Sequence, residues 1–325
     1  MLRKPRRALA STPSPPGQTA QRSSTTAALW LHLHLPYLPL EVLTRGLDSG
    51  EACVLAAESS RRPKVLLANR YAAAMGVRPD MPLGAAHALG QLRVLEHNST
   101  AEQAALTRLC LWAMQVTPMV CEVAPDGLVL EISGSLKLFG GLESLLTRLR
   151  RGLKQLGYRI QYAVAPSALA AGLLARTRPR TVVLERHQLQ AALATVPVTA
   201  LRLENAHRTA LESLGVHTIG ACRRLPRDGL ARRLAPALLT TLDRLFAEAP
   251  DPRTAITVPR SFDALLELPW EVDNARALVT AGERLLRELN GYLTANAAVT
   301  RHLRWRLLGR DKHHKNEFEY FDIRL

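Results

Sequence analysis

Three clusters of residues in this chain have types and spacings that could do chemistry. The first is a pair of histidines, His32 and His34, in Leu29-Trp30-Leu31-His32-Leu33-His34-Leu35, where apolar and polar residues alternate as along a strand. The imidazoles then share one face with Trp30, while Leu29, Leu31, Leu33 and Leu35 share the other. Asp126, in the turn of a later hairpin, would supply a third ligand. Such a set suits zinc or nickel better than magnesium, which prefers oxygen ligands. The commoner role of an unaided His-x-His pair is to fill a polar pocket at a strand end, and no bound metal is expected.

The second cluster is strand 300–308. His302, Arg304 and Arg306 alternate with Leu303, Trp305 and Leu307, and Arg301 stands beside them. Either this is a sheet with one solvated face, or it tracks a phosphate backbone, where neutralised phosphates supply most sequence-independent affinity. The third cluster is Gly215-Val216-His217-Thr218-Ile219-Gly220, in which a helix ends, the chain turns and Thr218 caps the next helix. It reads as an ordinary helical hairpin or as half of a helix-hairpin-helix, which offers backbone N–H groups to a phosphate. Arg223, Arg224, Arg227, Arg232 and Arg233 nearby favour DNA.

The elements that position these residues follow from periodicity. Strands are expected over 28–35, 52–57 and 64–67, then a helix through Ala74 that Gly76 ends, and a short helix over 82–89. A helix over 101–114 precedes a hairpin of 121–123 and 127–132 around Pro125-Asp126. A basic helix over 142–156 stops at Gly157; a strand over 158–165 and a helix over 167–175 capped by Ser167 follow. The order strand, helix, strand, strand, helix, strand is that of a ferredoxin-like sheet with helices on one face. Residues 186–250 read as short helices, and Pro250-Asp251-Pro252 as a linker. A strand over 261–268 comes next, then a helix capped by Asp273. That helix carries Ala275, Leu278, Val279, Leu285, Leu286, Leu289 and Leu293 on one stripe, and two more strands follow it.

Composition narrows the classes. The 325 residues are 47% hydrophobic and 22% charged, which excludes general disorder and leaves room for several domains. The net charge is +15, and 37 of the 43 basic residues are arginine, which favours a polyanionic partner. No apolar run is long enough to span a membrane. The cysteines Cys53, Cys110, Cys121 and Cys222 are far apart, as in a reducing compartment such as the cytoplasm. Residues 1–28 hold five basic and no acidic side chains and read as a disordered tail.

With these pieces in order, the chain from residue 29 onward resembles the Y-family translesion DNA polymerases, and within them the non-catalytic ImuB-type subgroup. Three segments carry the resemblance: Leu29 through Leu35 continuing into Pro36-Tyr37-Leu38-Pro39-Leu40-Glu41; Gly127-Leu128-Val129-Leu130-Glu131-Ile132-Ser133-Gly134-Ser135-Leu136-Lys137-Leu138-Phe139-Gly140-Gly141; and Ser261-Phe262 with Leu266-Glu267-Leu268-Pro269-Trp270-Glu271. The resemblance implies an α+β right hand. Its parts would be a ferredoxin-like palm (29–35 and 99–185), small fingers (36–98), a helical thumb with the helix-hairpin-helix (186–250), a linker (251–259) and an α+β little finger (260–325). The little finger is expected to be incomplete, because the family's second helix and fourth strand would lie beyond Leu325.

The family's palm holds two magnesium ions with three carboxylates. Counting back from Glu41 in its motif D-x-D-x-F-Y-A-x-V-E places the two aspartates at His32 and His34, and the aromatic that polices the sugar at Tyr37. Counting back from Glu131 in S-x-D-E-A-x-L-D places the Asp-Glu pair at Asp126 and Gly127. The fingers motif Y-x-A-R corresponds to Arg70-Tyr71-Ala72-Ala73, so the arginine expected at the triphosphate is Ala73. In the thumb, Arg202-Leu203-Glu204 replaces a G-I-G, and Arg208, Arg223 and Arg224 are expected to compensate for the phosphate-repelling Glu204.

The expectation is thus a DNA-binding scaffold without cofactor, acting in SOS-induced translesion synthesis as part of a mutasome. Its DNA contacts would be Arg301, His302, Arg304, Arg306, Arg208, Arg223 and Arg224. The resemblance implies primer-template DNA, an error-prone C-family polymerase, an ImuA-type RecA-like protein and the sliding clamp as partners, with the clamp-contact region falling outside this sequence and no membrane involved. The alternatives are an active polymerase that uses magnesium at a site rebuilt from His32, His34 and Asp126, and a truncated remnant.

Overall fold

The computed structural model describes residues 28–46, 50–56, 62–201, 203–228, 236–268, 270, 272, 275–310 and 316–324. The expected basic tail, Arg202, Arg232, Arg233 and the Asp273 cap lie outside them.

β1 (Trp30–His34) runs through the middle of a five-stranded sheet. β2 (Cys53–Ala56), β3 (Val65–Ala68) and β4 (Arg93–Leu95) form a separate three-stranded sheet, with β3 antiparallel and β4 parallel to β2. The large sheet is completed by β5 (Val120–Val123), β6 (Gly127–Glu131), β7 (Gln161–Ala165) and β8 (Thr181–Val182), in the order β5-β6-β1-β7-β8. β1 is antiparallel to both neighbours, pairing His34 with Gly127 on one side and with Gln161 on the other. The first four strands in this order have the ferredoxin-like arrangement expected from their sequence. β8, two residues long and parallel to β7, has too little pattern to be read from sequence.

Both faces of the sheet are covered, so the β1 alternation sorts its side chains into two cores. Leu31, Leu33 and Leu35 meet Leu106 and Leu109 of α4 (Ser99–Ala113) and Leu145, Leu149 and Leu153 of α5 (Leu142–Gln155). The opposite face carries α6 (Ala168–Thr177), capped by the Ser167 hydroxyl, which accepts a hydrogen bond from Ala170 N at 3.2 Å. α4 and α5, the two helices of the ferredoxin-like order, share one face as expected, and α6, which follows that order, covers the other. α6 is apolar almost all round because it is sandwiched: its Ala170, Ala171, Leu173 and Leu174 share a core with Ala163 and Ala165 of β7 and with the helical region that follows.

That region contains α7 (Leu189–Leu193), α8 (Asn205–Ser213), α9 (Ile219–Arg224) and α10 (Pro236–Leu245), and Leu193, Leu211, Ile219, Leu242 and Leu245 fill its core. The small sheet packs with α2 (Arg70–Ala74) and α3 (Leu83–His87), and α1 (Leu38–Thr44) leads out of β1. All four cysteines are free and buried.

After the helical region the chain returns to the large sheet, where Ile256 N donates to Val120 O at 2.8 Å on the edge strand. Residues 261–268, expected as a strand, have no ladder partner among the described residues. Their apolar alternation serves another purpose. Phe262 packs on Tyr292 with ring centres 5.5 Å apart, and Leu266 and Leu268 lie against Gly46, so the segment is a strap held by side chains. The strand expected over 158–165 begins only at Gln161, because Tyr158 is buried beneath the Arg45 guanidinium, 4.9 Å from its ring centre.

α11 (Ala275–Ala295) packs on α4, and β9 (His302–Arg310) and β10 (Asn316–Arg324) form an antiparallel pair. The expected leucine stripe of α11 is only partly used: Leu289 is buried, whereas Leu278, Val279 and Leu286 are exposed. Docking is instead concentrated around Glu288, whose side chain is 1% exposed and pairs with Arg45 at 2.5 Å and with Arg108 at 3.0 Å. The Trp112 indole of α4 lies against backbone at Gly152 of α5 and Gly291 of α11. A Cβ at either position would overlap the ring, so only glycine permits this approach of three helices.

Candidate functional site

β1 carries His32 and His34 on the α6 face, and the β5–β6 turn brings Asp126 and Gly127 beside them. Leu35 N donates to Asp126 O at 2.7 Å, which fixes the turn against the end of β1. His34 Nδ1 lies 3.3 Å from Asp126 O and 3.7 Å from Asp126 Oδ1. Both are acceptors, so this geometry favours the tautomer with its proton on Nδ1. His32 sits deeper, 2% exposed, with its ring between Gly127 and Gly172. A Cβ at position 127 would stand 2.7 Å from His32 Nε2, and one at 172 would stand 3.1 Å from Nδ1.

The sequence reading grouped His32, His34 and Asp126 as ligands. The structure pairs His34 with Asp126 and packs His32 among glycines. Among the described residues, no three His, Cys, Asp or Glu side chains converge as a metal-binding group. The helix above this face, α6, contributes only alanine, leucine and glycine between Ala168 and Ala175.

Beside the site, Tyr37 is covered by the Arg159 guanidinium, 3.8 Å from its ring centre. Glu41 accepts from Arg159 Nε at 2.7 Å and from its backbone N at 3.0 Å. Burial pushes the Glu41 carboxyl above its ordinary range, and Arg159 opposes this without cancelling it. The Glu41–Arg159 link spans most of the domain, and nothing in the spacing of the two residues announces it. In the small sheet unit, Arg70 lies over the Tyr71 ring at 4.6 Å and Ala73 is exposed on α2, whose Asn69 cap accepts from Ala72 N at 2.9 Å.

The basic candidates separate into two groups. On β9, His302, Arg304 and Arg306 are exposed, as is Arg301 just before it, while Leu303 and Trp305 are half-buried, with the Trp305 ring resting near Gly282 of α11. Packing the apolar face on α11 therefore turns the cationic face outward, as the alternation predicts. Arg304 pairs with Asp322 of β10 at 2.9 Å, and Arg306 with Asp263 at 3.5 Å. Both pairs are exposed, so water and salt screen them.

In the helical region, Thr218 caps α9 as expected, accepting from Ala221 N at 3.1 Å, and Gly215 takes a positive φ of 69°. Arg223 makes two hydrogen bonds to Glu248 and lies 3.9 Å from the Phe246 ring centre, Arg208 bonds Asn205 Oδ1 at 2.7 Å, and Arg224 is exposed. The Arg223–Glu248 and Arg227–Asp243 pairs, which sequence reasoning missed, tie α9 and the residues after it to α10 and its end.

Comparison with known proteins places this geometry. Residues 37–176 match the family model described as "IMS: impB/mucB/samB family". The chain is 36% identical over 181 residues to Protein ImuB of Caulobacter vibrioides (strain NA1000 / CB15N), covering 55% of this chain and 40% of that one. It is 29% identical over 213 residues to DNA polymerase IV of Desulfatibacillum aliphaticivorans, covering 63% and 54%. The chain thus spans about half the length of these relatives. Among solved structures, an insertion ternary complex of Dbh DNA polymerase is similar with a TM-score of 0.55 at 17% identity, over 69% of each chain. A post-insertion binary complex of Dbh gives 0.56 at 15% identity, over 91% of this chain and 87% of that one. At such identities the likeness is one of fold. Residues 37–176 thus resemble the impB/mucB/samB family, and the chain shares the fold of these polymerase structures.

Proposed function

We propose that this protein is a non-catalytic, DNA-binding scaffold of translesion synthesis, with the polymerase hand retained and its metal chemistry lost. In this reading, residues 29–35 and 99–185 are the palm, 36–98 the fingers, 186–250 the thumb, 251–259 the linker and 260–325 the little finger. The observation that carries the reading is the packing of His32 against Gly127. The imidazole fills the space that a carboxylate side chain at position 127 would need, so the ring and the glycine fit one another.

The residues do not fit two magnesium ions. Two hard dications and a triphosphate require several anionic oxygens, and this face offers Asp126, two imidazoles and a glycine. The expected nucleotide positions support the same reading: Tyr37 is engaged by Arg159, Arg70 by Tyr71, and position 73 is alanine. No step of nucleotidyl transfer is assigned to these residues.

Binding to primer-template DNA would rest on His302, Arg304 and Arg306 of the outward face of β9 and on Arg301 just before it, with Arg208, Arg223 and Arg224 of the helical region as secondary contacts. Similarity to ImuB over 181 residues supports a role beside a separate polymerase. The scaffold would raise the local concentration of an error-prone C-family polymerase at a stalled primer end, together with an ImuA-type RecA-like protein and the sliding clamp, in the SOS response. The test is a paired assay on the purified chain. Salt-sensitive affinity for primer-template DNA, with no primer extension in Mg²⁺ or Mn²⁺, is the expected result. Extension that Asp126→Ala abolishes would instead establish an active polymerase, and DNA affinity indifferent to salt would remove the scaffold reading.

A further inference from the structure

Beyond the DNA-facing surface, the α4/α5 side of the palm carries a groove that the proposed function does not use. It lies between α5 and α11, has a volume of about 590 Å³, and is lined by Trp112, Leu138, Phe139, Arg148, Arg151 and Arg287 among others. Its lining combines three arginines with apolar groups and contains no acidic residue. Arg287 answers Glu283 of its own helix at 3.7 Å, whose side chain is 60% exposed. Leu138 is 81% exposed, the most solvent-open large aliphatic residue of the palm. It stands in the turn between β6 and α5, where Gly140 and Gly141 take positive φ values of 72° and 104° and set the turn's path.

The groove lies away from the His32–His34 face of the large sheet. His32 and His34 face α6, whereas α5 packs on the opposite face of the sheet through Leu145, Leu149 and Leu153. The groove's aromatics are also poor platforms for nucleobases, which bind single strands by stacking on open rings. Arg148 lies over the Phe139 ring at 5.5 Å, and Trp112 is buried against Gly152 and Gly291. What remains accessible is an aliphatic anchor point beside a cluster of guanidinium groups, flanked by two helices. That combination suits an amphipathic acidic segment laid in a groove, its apolar side chain giving most of the affinity and its carboxylates the register.

We propose that this groove docks an acidic segment of a partner protein, with a large apolar side chain seated against Leu138 and Phe139 and carboxylates meeting Arg148, Arg151 and Arg287. Charge complementarity selects the partner: a basic or neutral helix would leave the arginines without counter-charge, and a purely apolar one would leave them desolvated.

The test uses the full chain without DNA and a fluorescein-labelled helical peptide of Asp and Glu residues with a central Leu-Phe pair, followed by fluorescence anisotropy. Saturable binding is expected, weakened about tenfold or more by Arg148→Glu/Arg151→Glu and by Leu138→Asp. Replacing Leu-Phe by Ser-Ser in the peptide should weaken it similarly. Because these positions are exposed, unchanged thermal melting of the variants separates lost docking from lost folding. Absence of saturable binding, or binding indifferent to all of these changes, overturns the proposal. So does displacement of the peptide by an oligo-dT strand whose own binding falls with the same substitutions, which would make the groove a nucleic-acid surface. Primer-template affinity is measured separately, so failure of the scaffold reading leaves this result interpretable.

Discussion

A glycine organises the His32 face of the large sheet. At Gly127 a Cβ would come within 2.7 Å of His32 Nε2 and 3.2 Å of Leu33 O, and the backbone oxygen cannot move away without disturbing the β1–β6 ladder. Gly127→Ala is therefore expected to destabilise the fold by about 1–3 kcal/mol in urea unfolding, as overpacking of a filled core does. Removing the ring with His32→Ala carries its own cavity cost, but the two changes together should be less damaging than their sum. A double-mutant cycle measures that coupling directly. Additive effects would show that the imidazole and the glycine are independent and would weaken the proposal that the pair replaced a metal cradle.

α11 joins the C-terminal unit to α4 through a buried ionic cluster as well as apolar packing. Glu288 is buried between Arg45 and Arg108, so Glu288→Ala would leave two guanidinium groups in an apolar contact without their counter-charge. A loss of about 3–5 kcal/mol is expected in urea unfolding, the range for breaking one partner of a buried pair. A change near zero would mean that α11 docks through Trp112 and Leu289 alone. In the helical region the ionic ties are exposed and respond to acid. The hydrogen bond from Arg223 lowers the Glu248 carboxyl, and that from Arg227 lowers Asp243. A lowered folded value means that the stabilisation is complete above the ordinary carboxylate range, about pH 4, and is lost as pH falls through the lowered values. Stability followed by circular dichroism should fall as pH drops below about 4, and Glu248→Gln should flatten that dependence. An unchanged slope in the variant would assign the acid response to other groups.

At the scale of the whole molecule, the net charge of +15 is partly answered within the fold, because Arg304, Arg306, Arg223 and Arg227 each have an acidic partner. The outward face of β9 nevertheless keeps His302, Arg304 and Arg306 exposed, with Arg301 exposed just before the strand. Arg304→Glu/Arg306→Glu is expected to weaken primer-template binding and to reduce the dependence of log K on log salt by about 0.9 for each phosphate that is no longer neutralised. The same substitutions should leave acidic-peptide binding at the α5–α11 groove intact. A double variant with the full salt slope would place the DNA contacts elsewhere, with the arginines of the helical region next to be tested.

Much of the architecture was legible in the residues. Alternation in β1 and in β9, the caps at Ser167 and Thr218, and the stops at Gly76, Gly157 and Gly215 are local features governed by backbone sterics and by the nearest few side chains, so a linear reading finds them. The placement of His32, His34, Asp126 and Gly127 on neighbouring strands was also legible, because the pairing of β1 with β6 follows from the ferredoxin-like order. Contacts between distant segments were not. The same alternation that makes β9 a strand makes residues 261–268 a strap, because ladder formation needs a free neighbouring edge that the residues themselves do not specify. Which side of the sheet α6 covers, which histidine meets Asp126, and how Glu288 joins Arg45 and Arg108 were decided by tertiary packing, since burial, and with it the cost of an unpaired charge, exists only once separate elements have closed around a side chain.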